Sequence, residues 1–151
     1  MDDAPTPILA LTLVCLLIII AFSSGTEVAM LSVNRFRVRT RVAAGERRAR
    51  VLERLLAQPD QWLGANLVIL ALASVAASTV ATLLTQRAAQ QFAVSIDIAL
   101  PAMMGLLTIV IIVFCELAPK IYSAVHAEPV ALGSAHIYRA LLWVSYPVLW
   151  L

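Results

Sequence analysis

The stretch IALPAMMGLLTIVIIVFCELAPK, residues 98–120, decides the fold of this chain. From Ile98 to Cys115 it is almost continuously apolar, which predicts a helix that crosses a lipid bilayer. Glu116 follows this run directly. A carboxylate inside a membrane span costs about 2.5–3.5 kcal/mol by insertion scales and less near an interface, so it usually has a partner or a function.

The composition of the whole chain agrees with a membrane protein. Hydrophobic residues make up 62% of its 151 residues and charged residues 13%, and the mean hydropathy is +0.91. A soluble domain is closer to half apolar and one quarter charged. The two cysteines both lie in apolar segments, so they indicate no disulfide framework. We therefore expect an all-α integral membrane protein.

The apolar segments predict three transmembrane helices, at about residues 8–33, 62–84 and 98–116. A basic block follows the first span and contains eight of the eleven Lys and Arg residues: Arg35, Arg37, Arg39, Arg41, Arg47, Arg48, Arg50 and Arg54. The positive-inside rule then places residues 34–60 in the cytoplasm, the N-terminus outside and the C-terminus inside. We expect the protein to lie in the cell (inner) membrane. The polar stretch 85–97 would form the outer connection.

Two segments outside the spans have amphipathic character. Residues 34–60 predict a pair of short helices that fold back against the membrane, with arginines that contact anionic lipid. They contain no motif for reading nucleic acid, so we expect none as a partner. Residues 129–151 are too short and too polar for a fourth span and predict a juxtamembrane helix in the cytoplasmic interface. The end of the sequence within this segment suggests that the chain is a truncated form of a longer protein.

Polar residues interrupt the first span at Ser23, Ser24, Gly25, Thr26 and Glu27. A hydroxyl in a membrane helix most often bonds the carbonyl four residues earlier, but a cluster with a glycine and an acid is unusual. In the second span, Asn66 and Ser74 are eight residues apart and lie close to one helix face. Asn66 could either bind a ligand or form a hydrogen bond between helices.

Glu116 has two interpretations. It could pair with Lys120, although Pro119 disturbs the helix between them. Alternatively, Pro119 breaks the helix and frees carbonyls next to Glu116, as at other ion sites in membranes. Carboxylate, hydroxyl, amide and carbonyl oxygens are hard ligands that suit Mg²⁺ or Na⁺, and a Mg²⁺ ion here would remain partly hydrated.

Three segments of the sequence resemble one known family. FSSGTEVAMLS at 22–32, LGANLVI at 63–69 and FCELAPKI at 114–121 are similar to the signatures FFSGSETALLS, IGNNLVN and FGEIxPKxIA. These signatures belong to the DUF21 transmembrane domain of the CorC/cyclin M (CNNM) family of magnesium transporters. The three motifs occur in the family's order, and the similarity covers essentially the whole chain.

This resemblance implies three membrane helices, a cytoplasmic helical hairpin and a juxtamembrane helix in a homodimer that exports Mg²⁺ in exchange for Na⁺. The motif matches imply a metal site made from Ser24, Asn66, Ser74 and Glu116, supplemented by the backbone around Ser23 and Gly25. Full-length members also carry a cytosolic CBS-pair module as a partner of the membrane domain. The chain departs from the family pattern at Ala65, Ile69 and Cys115, which stand where the family has two asparagines and a glycine.

Two other functions remain open at this point. The protein could be a regulatory or assembly module that does not transport, in which buried polar groups only hold helices together. It could also be a proton-relay subunit, which would need Glu27 and Glu116 to pair. The sequence contains no nucleophile–base pair or phosphate loop, so we do not expect an enzyme.

Overall fold

The computed structural model describes residues 5–149 along the backbone, with side-chain detail for residues 5–140, and every regular element in this part of the chain is helical. The elements are α1 (Thr6–Ser32), α2 (Arg35–Ala43), α3 (Arg47–Ala57), α4 (Pro59–Phe92), α5 (Ile96–Val110), a π-helical segment (Ile111–Leu117), α6 (Ala118–Val125) and α7 (Ala127–Leu149). Within the described residues, three helices are long and apolar enough to cross a membrane: α1, α4 and the continuous helix Ile96–Val125. The predicted all-α membrane fold with three candidate spans is confirmed.

The second span is longer than the sequence predicted. We expected the helix to end near residue 84, whereas α4 continues to Phe92 and reverses direction at Ala93, which has a left-handed φ of 53°. The extension contains Ala, Gln and Arg, which are strong helix formers although Gln and Arg are polar. Polarity predicted the end of the apolar segment correctly but not the end of the helix.

The sequence predicted that the third span breaks at Pro119, but the helix continues through this residue. The chain stays helical through this residue as far as Val125, because Pro119 occupies the first turn of α6. The irregular backbone lies earlier, in the π segment, where the amide of Ala118 donates to the carbonyl of Val113, five residues back. A wider turn at this point moves the chain away from the proline ring, which otherwise clashes with the carbonyl four residues earlier.

Helices α2 and α3 pack against each other, and α3 also packs against α7. The turn between α2 and α3 passes through Gly45 at φ +85°, a conformation that few residues other than glycine adopt. The shared apolar core of this region comes from α1, α2, α3, α4 and α7: Ala29, Met30, Val33, Val38, Ala49, Leu52, Leu55, Leu56, Trp62, Ala131, Leu132, Ala135 and Tyr138. Helix α7 begins at Ala127 rather than 129, and the last two residues of its expected range lie outside the described residues.

A second, smaller core lies further along the spans. It contains Ile20 of α1, Ala73 and Ala77 of α4, and Cys115 of the π segment. Alanine allows the helix backbones to approach closely where no hydrophobic force drives association. The polar cluster of α1 lies along the chain between Ile20 of this core and Ala29 of the first core.

Candidate ion site

Four consecutive residues of α1, from Ser23 to Thr26, are all buried. Successive residues of an α-helix point in directions about 100° apart, so four of them cover the whole circumference of the helix. At this turn α1 is therefore surrounded by protein, and the elements that contact α1 most along its length are α4, the π segment, α6 and α7. A polar sequence placed here must find its partners within the protein.

Asn66 of α4 is the centre of a hydrogen-bond network at this turn. Its Oδ1 accepts a bond of 2.6 Å from Ser23 Oγ and a second bond from the hydroxyl of Tyr138 in α7. Its Nδ2 donates to Glu27 Oε2 at 3.4 Å. Burial raises the pKa of Tyr138 above its ordinary value, so the phenol remains a hydrogen-bond donor. The network ties three helices together through one fully buried amide.

Two hydroxyls in the same turn have no partner. Ser24 Oγ and Thr26 Oγ1 are buried and form no hydrogen bond, as is also true of the indole nitrogen of Trp62. Elsewhere in the described chain, several hydroxyls bond the carbonyl four residues earlier, and these residues are Thr12, Thr40, Thr79, Thr82, Thr85, Thr108 and Ser134. A buried polar atom without a partner costs about 1–3 kcal/mol. Ser24 and Thr26 therefore depart from the ordinary behaviour of a membrane hydroxyl.

Gly25 allows α6 to approach α1 closely. A Cβ atom at this position would lie 2.9 Å from Ser123 Oγ, 3.2 Å from Pro119 Cβ and 3.4 Å from the Pro119 carbonyl oxygen. Only a residue without a side chain permits this approach. The glycine thus brings the backbone carbonyl of Pro119 close to the buried turn of α1.

Glu116 lies close in depth to the polar turn of α1. Cys115 packs beside Ile20, whereas Pro119 lies beside Gly25, so the intervening Glu116 lies at a depth between these two residues of α1. The side chain is half-buried. Within the described part of the chain it forms no ion pair with Lys120 or with any arginine. The alternative in which Lys120 neutralises Glu116 has no support from this geometry.

Ser74 is half-buried and lies at a different depth from Asn66. Eight residues of the continuous helix α4 span about 12 Å along its axis. A Mg²⁺ ion with ligands at about 2.1 Å cannot contact both side chains directly, because the reach of the two side chains plus the two metal–oxygen distances is shorter than this separation. The shared helix face that the spacing predicts therefore does not make both side chains direct ligands of one ion; at least one of them would act through water.

The carboxylates of this region are not assembled into a cluster. Among residues 5–140, no group of three or more His, Cys, Asp and Glu side chains is close enough to hold a metal ion. Glu27 has Asn66 as its partner, and no hydrogen bond joins it to Glu116. Among the described residues, Glu27 and Glu116 therefore do not form the pair that a proton relay would need.

Sequence reasoning missed two participants, Tyr138 and Ser123. Tyr138 bonds Asn66, and the buried Ser123 is the nearest neighbour of Gly25. Ala131, Ala135 and Tyr138 recur at the spacing of one helix face, and this pattern could have predicted that Tyr138 is buried. Ser123 carries no comparable signal, because a single serine in an apolar helix is common.

The chain is similar to known proteins over its whole length. A family model described as "Cyclin M transmembrane N-terminal domain" matches residues 10–151. A "UPF0053 protein" of Haemophilus influenzae is 37% identical over all of this chain and 34% of its own length. The "UPF0053 inner membrane protein YfjD" of Escherichia coli is 33% identical over 87% of this chain and 29% of its own length. The chain thus spans about one third of the length of these relatives.

Proposed function

The chain belongs to the cyclin M transmembrane domain family, and from this premise we propose that it is the membrane domain of a Mg²⁺ transporter that exchanges Mg²⁺ for Na⁺. The transported ion would bind between α1, α4 and the helix that carries Glu116. We propose no catalytic role for the domain.

The observation that carries this proposal is the pair of unpartnered hydroxyls, Ser24 and Thr26. Hydroxyl oxygens are hard ligands, and a cation would satisfy lone pairs that the protein leaves without a donor. The half-buried Glu116, at a depth between Ile20 and Gly25, would supply the negative charge that a divalent ion requires. The Pro119 carbonyl beside Gly25 adds a further oxygen.

Asn66 would join this ligand set only after a local change. Its oxygen already accepts hydrogen bonds from Ser23 and Tyr138, which occupy both of its lone pairs. Binding of an ion to Oδ1 therefore requires at least one donor to leave, and Tyr138 belongs to a different helix. We propose that withdrawal of Tyr138 accompanies ion binding, with Ser74 contributing through bound water.

The surrounding assembly is also part of the proposal. The basic helices α2 and α3 would lie on the cytoplasmic side, with the N-terminus outside. Exposed apolar side chains along the spans, such as Leu72, Ile109 and Phe114, would contact lipid or a second copy of the chain in a homodimer. A cytosolic CBS-pair module in the longer protein would act through α7. The protein would reside in the inner membrane.

The test is a calorimetric titration of the purified protein with Mg²⁺, followed by Mg²⁺ flux in liposomes. We expect Glu116→Ala to abolish binding and Ser24→Ala to weaken it about tenfold, the effect of one lost interaction with a charged partner. Two matched controls remove the same groups elsewhere. Ser78→Ala removes an exposed hydroxyl of α4, and Glu53→Gln neutralises a half-buried acid of α3.

One alternative function has its own supporting observation. The Asn66 network joins α1, α4 and α7, as expected for a regulatory or assembly module whose polar groups only hold helices together. In that case Glu116→Gln would leave Mg²⁺ affinity and flux at wild-type values and lower only the stability of the dimer. That result would reject the transporter proposal.

A further inference from the structure

A recess at the junction of α3, α4 and α7 has the composition of an anion site. It has a volume of about 220 Å³ and is lined by Val51, Arg54, Leu55, Gln58, Gln61 and Arg139. Gln58 is the last residue before α4, and Gln61 lies in the first turn of that helix. Because α4 is a candidate membrane span, the recess lies at one end of a span, where lipid headgroups are located.

The two arginines of this recess have no acidic partner. Within residues 5–140, neither Arg54 nor Arg139 forms a hydrogen bond or an ion pair. Like charges that line one small recess repel each other, and an anion between them would turn this cost into an attraction. Guanidinium groups are also suited to bidentate contacts with phosphate oxygens.

Two other recesses that are lined by arginines differ in this respect. The groove lined by Arg37 and Arg41 contains Glu128, which forms ion pairs with both arginines, the shorter at 2.6 Å. The recess lined by Arg35 and Arg39 contains the carboxylate of Glu53. In contrast, the residues that line the Arg54–Arg139 recess include no acid, and their only other polar side chains are the two glutamine amides.

We infer that the recess formed by Arg54, Arg139, Gln58 and Gln61 binds a phosphate group. The guanidinium groups would neutralise its charge, and the amide groups would donate further hydrogen bonds. The first turn of α4 also contains Asp60, which does not line the recess. Basic pockets at the ends of membrane helices are known to hold phospholipid headgroups, and a soluble phosphate has the same chemistry. This site is separate from the proposed ion site and does not depend on it.

The experiment compares two sources of phosphate on the purified protein. Retention of phosphatidylglycerol relative to phosphatidylcholine is measured by native mass spectrometry, and inorganic phosphate is titrated separately by calorimetry. We expect Arg54→Gln with Arg139→Gln to weaken binding at least about tenfold, since charge-assisted hydrogen bonds are lost. The matched control, Arg48→Gln with Arg50→Gln, removes the same charge from exposed positions of α3 that do not line the recess.

A second variant tests the site without removing an arginine. Gln61→Glu places a carboxylate in the recess, and because an acid in the first turn of a helix is favourable, α4 should remain folded. We expect it to weaken phosphate binding as strongly as the double variant. Selective retention of phosphatidylglycerol alone identifies a lipid headgroup, whereas binding of inorganic phosphate as well identifies a general phosphate site. Equal binding by the recess variants and the control, or no saturable binding, would overturn the inference.

Discussion

Replacement of Gly25 by alanine is the sharpest test of how α1 and α6 fit together. The new methyl group would lie 2.9 Å from Ser123 Oγ and 3.2 Å from Pro119 Cβ. Ser123 can rotate its short side chain, but the proline ring cannot move without its helix. We therefore expect Gly25→Ala to push α6 away from the polar turn of α1.

The size of the effect follows from two opposing contributions. Overpacking a well-filled interior costs about 1–3 kcal/mol. Alanine in place of glycine in a helix returns up to about 1 kcal/mol. From the middle of the overpacking range, the net loss in the free energy of unfolding should be about 1 kcal/mol, which corresponds to a melting temperature about 2–4 °C lower for a chain of this size.

The assay is thermal unfolding of the purified protein, with two controls that contain the same substitution. At Gly105 in α5 and Gly133 in α7, a methyl group would meet no neighbouring atom within 4 Å, so alanine there should be neutral or stabilising. Adding Ser123→Ala to Gly25→Ala should restore part of the loss, with a coupling of at least about 0.5 kcal/mol. A melting temperature for Gly25→Ala equal to that of the two controls would refute the close approach of α1 and α6.

Further predictions concern other contacts. Tyr138→Phe removes one of the two donors to Asn66 with almost no change in volume, so it should lower the free energy of unfolding by about 1 kcal/mol. If Tyr138 must withdraw for an ion to bind, the variant should also increase Mg²⁺ affinity in calorimetry, and unchanged affinity would contradict that step. Asn66→Ala removes the centre of the network and should destabilise the protein by about 2–3 kcal/mol in thermal unfolding, more than Ser23→Ala alone. Equal effects of the two substitutions would show that the bonds of Asn66 to Tyr138 and Glu27 contribute nothing. Glu128→Gln breaks both ion pairs between α2 and α7, so it should lower the melting temperature slightly at low salt and leave it unchanged at about 1 M salt. A lower melting temperature that persists at high salt would show that the contact is not electrostatic.

The sequence predicted the fold well because hydropathy and length suffice to identify membrane helices. The three candidate spans and the family of the chain are confirmed. The end of α4 was misplaced because helix propensity, rather than hydropathy, sets it. The expected break at Pro119 was wrong because a proline in the first turn of α6, after a widened turn, leaves the chain helical.

The sequence identified the polar side chains of the candidate site but not the hydrogen bonds between them. The sequence identified Ser23, Ser24, Asn66 and Glu116, but it could not tell which of them has a partner. In the structure, Ser23 and Asn66 form a hydrogen bond with each other, whereas the hydroxyl of Ser24 has no hydrogen-bond partner. These differences arise from contacts between elements that are distant in sequence. Tyr138 of α7, for example, donates to Asn66 from 72 residues away, and no local sequence pattern predicts that hydrogen bond.

The π segment has a geometric consequence for the side chains around it. A π turn contains about one residue more than an α turn, so it shifts the helical register of the residues on one side of it relative to those on the other. If the wide turn passes a residue, that residue rotates by about 100° around the helix axis and advances about 1.5 Å. Glu116 lies within this segment and Lys120 just beyond it. A one-residue migration of the bulge could thus turn the carboxylate towards or away from α1 while both ends of the span remain in place.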